Sequence, residues 1–238
     1  MDGNKLLVCI AFHYIPDRVG QLMKVMDRLT TYDMDVSIII DTNSPFSLPE
    51  RKGISISIHN NLSHPYHLTW MHRRHFKENI NNYDWFMYLE DDMDVPYENF
   101  NEYVHNFEML WSQNCVPSFV RIEEYNGKKF VTDVTSVQRL QKVIIGEKEF
   151  VSLSQPYHAF WIMPKVELLL SLSHNFVRAE LSRENAASYP MWELGRKPLV
   201  RVENDRISPL CYSFHLTNNY APYSCTPFGK IEIDKLLS

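Results

Sequence analysis

Apolar residues along this chain come in two arrangements, unbroken runs of strand length and runs at helical spacing. Lys5 to His13 is nearly all apolar, which predicts a strand buried on both faces. Tyr14-Ile15-Pro16-Asp17-Arg18 reads as a turn, with Pro16 placed near a helix start. Leu22, Val25, Met26 and Leu29 recur at helical spacing and predict a helix over 17–32. Val36 to Ile40 forms a second strand that runs into Asp41-Thr42-Asn43-Ser44-Pro45. Ile54, Ile56 and Ile58 alternate with Ser55 and Ser57, the pattern of a half-exposed third strand. A polar loop over 60–67 leads to a helix over 68–81 and then to a strand at 85–89. The order β-α-β-(β)-α-β implies an α/β fold, a mixed central sheet with helices on its faces. Ligands in such sheets sit outside the carboxyl ends of the strands. His13, Asp41 and Glu90 to Asp92 all fall at such ends.

The rest of the chain is less regular. Phe100, Tyr103, Val104, Phe107 and Leu110 mark an amphipathic helix. Ser118–Glu123 and Lys129–Val134 predict strands around Asn126-Gly127, a strong hairpin signal. Val143–Ile145 and Phe150–Leu153 suggest a further pair. The aromatic-rich stretch 155–162 is expected to line a pocket. Pro164 opens a helix to 172, another helix falls within 180–195, and short strands follow at 199–202 and 213–216.

Chemistry concentrates at residues 85–96. The apolar run Trp85 to Leu89 feeds directly into Glu90, Asp91, Asp92 and Asp94. Carboxylates crowded at the end of a buried strand repel one another and are costly to desolvate without compensation. A hard divalent cation, which takes oxygen ligands and bridges to a substrate phosphate, accounts for them; an acidic turn ending the strand in water is the plainer alternative. The net charge of −5 makes no case for nucleic acid or an anionic membrane, so an anionic substrate needs local neutralisation. Cys9, Cys115, Cys211 and Cys225 include no Cys-x-x-Cys pair, which argues against a zinc site of that kind; a Cys211–Cys225 disulfide has no support in the pattern. No apolar run reaches the length of a transmembrane helix and no signal peptide is seen, so the expectation is a cytoplasmic protein without a transmembrane segment. At 238 residues the chain suits a single large domain.

The segment Tyr88-Leu89-Glu90-Asp91-Asp92-Met93-Asp94-Val95-Pro96 resembles the Glu-Asp-Asp metal motif of GT-A fold glycosyltransferases, in the form found in the N-acetylglucosaminyltransferase I type. It is also similar to the motif in small GT-A enzymes of bacteria and large DNA viruses. The resemblance implies a single GT-A-like domain, with a nucleotide-sugar-binding half over 1–95 and an acceptor-binding half over 96–238. It implies Mn²⁺ or Mg²⁺ as cofactor, a nucleotide-sugar donor of the UDP-sugar kind, and a carbohydrate or glycoconjugate acceptor. Asp92 would be the direct metal ligand, Asp91 would contact the ribose or a metal-bound water, and Glu90 would support them. Asp94 is an alternative ligand if the motif is Asp92-Met93-Asp94. His215 would stand beside the metal or the diphosphate. The end of the first strand at Phe12 and His13 would meet the base, with the Phe12 ring itself read as core, and Asp41 would accept a hydrogen bond from base or ribose. Of His72, Arg73, Arg74 and His75, Arg73 is chosen to face the diphosphate. An inverting transfer also needs a general base, for which Glu180, Glu184 and Glu193 are candidates. Glu193 stands in Met191-Trp192-Glu193, which loosely resembles the family's Trp-Asp-Asp. Arg121, Glu123 and Asp133 would touch the donor sugar, and Tyr157, Trp161 and Trp192 would offer platforms for a sugar ring.

Two other classes compete. A metal-dependent nucleotidyltransferase would show a glycine-rich basic loop after the first strand, where this chain has Tyr14 to Arg18; a dinuclear phosphoesterase would show several His/Asp clusters. A non-catalytic carbohydrate-binding module would account for the aromatics and leave the acidic cluster without a purpose.

Overall fold

A computed structural model of the chain describes residues 4–137, 140–153, 157–172, 176–188, 194–217, 219–220 and 225–237. In chain order the elements are β1 (Lys5–Phe12), α1 (Val19–Leu29), β2 (Asp35–Thr42), β3 (Ile54–Ile58), α2 (His72–Asn79), β4 (Trp85–Glu90), β5 (Met93–Asp94) and α3 (Tyr97–Trp111). They continue with β6 (Cys115–Pro117), β7 (Val120–Tyr125), β8 (Lys128–Val131), β9 (Val143–Ile145), β10 (Lys148–Val151) and β11 (Phe160–Pro164). Last come α4 (Lys165–Ser171), α5 (Arg183–Ser188), β12 (Lys197–Glu203), β13 (Arg206–Ile207), β14 (Tyr212–His215) and β15 (Ile231–Glu232). The architecture is mixed α/β with several sheets and a helical minority. Among the described residues no helix is long and apolar enough to cross a membrane.

The chain forms two compact units. Met1–Asp92 and Ala159–Leu194 make the first, Met93–His158 and Gly195–Ser238 the second. The first is built on the sheet β11-β4-β1-β2-β3. β1 lies parallel to both β2 and β4, and β2 parallel to β3, while β11 runs antiparallel to β4. This explains the unbroken apolar run of β1. As the central strand of a sheet covered on both faces, it buries every side chain from Leu6 to Phe12, at roughly 1.5–3 kcal/mol for each large one. Leu22, Val25, Met26 and Leu29 form the buried stripe of α1. β3 is an edge strand with no fully buried residue; the expected alternation holds over Ile54 to Ile56 and breaks at its end, where Ile58 is exposed and Ser57 half-buried.

Two segments of this unit depart from the sequence pattern. The helix expected over 68–81 is a 3₁₀ turn at Pro65–Trp70 followed by α2; the His64 imidazole accepts from the Tyr66 amide and starts the turn. The stretch expected to line a pocket instead supplies β11, whose residues are all buried against β4, although 154–156 lie outside the described residues. Trp161 is core there, with Nε1 donating to the Ala186 carbonyl at 3.1 Å.

The second unit holds two sheets. One has the order β13-β12-β10-β9, with β6 pairing β12, and the other is β15-β8-β7-β14-β5. The β7–β8 hairpin turns at Asn126 and Gly127, with φ of 50° and 74°. Both residues occupy the left-handed region, as a two-residue turn matching strand twist requires. Val120, Ile122, Val131, Val151, Val200, Val202 and Leu236 belong to the core cluster that joins these strands. Cys9, Cys115, Cys211 and Cys225 are all free thiols.

Candidate functional site

The strand order of the first unit reverses at β1. From β1 the chain steps outward to β2 and β3, then returns to place β4 on the other side of β1. Such a switch point opens a crevice at the strands' carboxyl ends. Ala11 of β1 pairs with Asp41 on one side and Glu90 on the other, so the rim acids stand level.

Glu90 closes β4, and Asp91 and Asp92 follow as a turn, both buried. Arg18, in the turn after β1, reaches across to them. Its Nη2 donates to Asp91 Oδ1 and to Asp92 Oδ2, each at 2.9 Å. Glu90 has Arg183 Nη2 at 3.8 Å. A single guanidinium nitrogen shared by two buried carboxylates undercompensates them. Burial, and next the Asp92 charge, push the Asp91 carboxyl up to about 8 against the pull of Arg18. Asp91 Oδ2 is buried with no hydrogen-bond partner among the described residues. An all-oxygen donor set and an unengaged buried oxygen together suit a hard divalent cation.

Asp41 is buried at the end of β2, and its Oδ1 meets His59 Nε2 at 2.7 Å and His75 Nε2 at 2.9 Å. The hydrogen bond to Asp41 raises the pKa of His75 above its ordinary value. Phe12 is fully buried, its ring edge-on to Phe46 at 5.1 Å; His13 is exposed.

Arg73 requires a correction. It does not face a diphosphate: it is 1% exposed, stacked over Trp70 at 4.1 Å and Phe176 at 5.2 Å, with Nη1 donating to the Phe176 carbonyl at 2.9 Å. A delocalised, weakly hydrated guanidinium tolerates such a setting as an ammonium would not. Arg73→Ala is expected to cost about 3 kcal/mol, from lost stacking and an orphaned carbonyl. A shifted urea midpoint with an unchanged donor KM would establish this structural role; a raised KM without loss of stability would restore the diphosphate role. Of its neighbours, His72 is buried and held well below its usual pKa, first by desolvation, and Arg74 pairs with Glu78 in solvent.

Asp94 and His215 belong to the paired strands β5 and β14 of the second unit. His215 is buried, with Nδ1 2.6 Å from Glu123 Oε1 and Nε2 2.9 Å from the Thr217 hydroxyl. Glu123 also accepts the Tyr220 amide at 2.9 Å. Arg121 forms a two-pronged pair with Asp133, at 2.6 and 3.0 Å, and its guanidinium covers the Tyr157 ring at 4.9 Å. Glu184 is exposed in the first turn of α5, and Glu180, also exposed, accepts from Asn185 at 3.1 Å. Trp192 and Glu193 lie outside the described residues.

Sequence reasoning did not name His59, gave Arg18 only as part of a turn, and weighed His75 but preferred Arg73. His59 directly follows β3, so the carboxyl-end rule that selected Asp41 would have selected it too. Arg18 carried no signal beyond being a cation in the turn after β1. Compared with known proteins, the chain matches no family model and no curated protein sequence.

Proposed function

We propose that this protein is a metal-dependent glycosyltransferase that moves a hexose-type sugar from a nucleotide donor, of the UDP-sugar kind, to a carbohydrate or glycoconjugate hydroxyl with inversion. The observation that carries this reading is the Glu90-Asp91-Asp92 turn at the carboxyl end of β4, beside β1 at the switch point, where Asp91 and Asp92 are buried together on one Arg18 nitrogen. The parallel β3-β2-β1-β4 order with an antiparallel β11 agrees with a nucleotide-binding α/β sheet and supports the resemblance to GT-A enzymes.

Asp92 and Asp91 would hold Mn²⁺ or Mg²⁺, with Glu90 behind them. When bound, the ion supplies Lewis-acid stabilisation of the diphosphate that leaves as the anomeric C–O bond breaks. Arg18 is the placed cation that an anionic donor needs in a chain of net charge −5, the part first given to Arg73. The backbone after Phe12 offers hydrogen bonds to a base at the same rim. A non-catalytic sugar binder would gain nothing from burying Asp91 beside Asp92.

Titration calorimetry with UDP is the direct test. Binding is expected to strengthen at least about tenfold when Mn²⁺ is present, because the ion joins carboxylates to diphosphate. Equal affinity with and without the ion, or no binding, would overturn the proposal and favour a sugar-binding module.

A further inference from the structure

A second group of ligating side chains lies on the same sheet, two strands away from the acidic turn, and differs from it in chemistry. Asp41 is the penultimate residue of β2, His59 follows β3, and His75 stands on α2. Three separate elements therefore converge on one point, and each is fixed by backbone bonding. Asp41 pairs in register with Ala11 and Ser57. The His59 amide donates to the Thr42 carbonyl at 2.7 Å. One ligand atom from each residue, a carboxylate oxygen and one nitrogen from each imidazole, lies within 4.8 Å of the others. The carboxylate side chain is 2% exposed, and the imidazoles are 21% and 18% exposed, so the cluster has a buried floor and an open mouth.

We infer that Asp41, His59 and His75 form a binding site for a borderline divalent transition ion of the Zn²⁺ class, distinct from the oxygen-only site at Glu90 to Asp92. Metal–nitrogen and metal–oxygen bonds of roughly 2.0–2.2 Å place tetrahedral neighbours about 3.3–3.6 Å apart. The carboxylate-to-imidazole separations of 2.7 and 2.9 Å are hydrogen-bond distances, so the three groups open by roughly half an ångström to admit the ion. The imidazole rings are 6.4 Å apart between centroids and inclined at 60°, and both Nε2 atoms face the same Asp41 oxygen. In the metal-free protein Nε2–H of each imidazole donates to Asp41; binding shifts each proton to Nδ1 and turns Nε2 into a ligand. Ser57 Oγ, 3.1 Å from His59 Nε2, supplies a neighbouring oxygen. Two imidazoles and one carboxylate suit Zn²⁺, Co²⁺ or Fe²⁺ and do not suit Mg²⁺ or Ca²⁺. Three protein ligands leave a position open for water or substrate, as in sites where the ion does chemistry rather than merely holding the fold.

The site shares Asp41 with the nucleotide contact that the GT-A resemblance implies, but it uses none of Glu90 to Asp92, so the two readings can fail separately. The test uses the full chain carrying Asp92→Asn, which weakens the acidic turn as a competing site. This protein is expected to bind one equivalent of Co²⁺ with visible ligand-field bands, and Zn²⁺ is expected to displace it. Adding His59→Gln or His75→Gln is expected to weaken Co²⁺ and Zn²⁺ binding by more than ~100-fold, since losing a ligand costs more than losing a group that merely orients one. Both imidazoles are partly exposed, so at least one of these variants keeps the wild-type near-ultraviolet dichroism. Absence of bands in the folded Asp92→Asn protein, or binding undiminished in a folded His variant, overturns the inference. Mn²⁺-dependent UDP binding by the wild-type chain is read separately and tests only the other site.

Discussion

Asp92→Asn is expected to lower kcat/KM for the donor about a thousandfold, the scale of removing one preorganised charge from a developing transition state. The same substitution is expected to leave the melting temperature unchanged or higher. Asp91 and Asp92 share one Arg18 nitrogen, and the Asp92 charge is the second-largest reason, after burial, for the raised Asp91 pKa. Removing that charge relieves repulsion in the native state, so a site arranged for function gives up little stability when it is neutralised. The two readouts separate the possibilities. Turnover retained in Asp92→Asn would remove the acidic turn from the mechanism. A collapse of stability would make Asp92 a structural partner of Arg18, and the proposed chemistry would lose its anchor.

How far the sequence foretold this arrangement depends on what kind of contact each residue makes. β1 and β4 announce themselves because a strand buried on both faces must be apolar throughout, and the β7–β8 turn because Asn126-Gly127 accepts left-handed backbone. β11 was hidden. That residues 160–164 return to pair with β4 is a long-range event, and an aromatic-rich run does not say whether it lines a pocket or closes a sheet. At the site, the acids of the β4 turn stood out because packing gives no reason for them. The partner cations did not, since a lone Arg18 in a turn resembles any solvated charge.

The choice between Arg73 and His75 is more instructive. Phe76 is fully buried and defines the inward face of α2. Arg73, three residues earlier, shares that face, and His75 is turned about 100° from Phe76. The spacing therefore already carried the answer, and the expectation that an arginine seeks phosphate overrode it. Helical phase was the better guide than residue chemistry, and His75 rather than Arg73 reaches the rim.

Acid is expected to destabilise the native protein through His158, in the second unit. His158 is buried, and its Nε2 donates to the Phe119 carbonyl at 2.7 Å. Desolvation lowers its pKa to about 3, and Arg121 adds to the effect. An unfolded histidine titrates near 6.5. Between those values the unfolded chain holds a proton that the native site refuses, so this contribution is complete above about pH 6.5 and is lost as the pH falls towards 3. From about pH 7 to about pH 4 the loss amounts to about 3 kcal/mol. Asp91 and Asp133 act in the opposite sense. Their pKa values are raised in the native state, chiefly by burial, so native protons are gained as the pH drops and the overall curve flattens. The difference between two proteins isolates the histidine. His158→Gln keeps an N–H for the Phe119 carbonyl and removes the titration. Urea unfolding of both chains across this range is expected to show the wild type losing about 3 kcal/mol relative to His158→Gln. Parallel curves would mean that His158 accepts its proton without disturbing the fold, and the buried neutral imidazole would have to be abandoned.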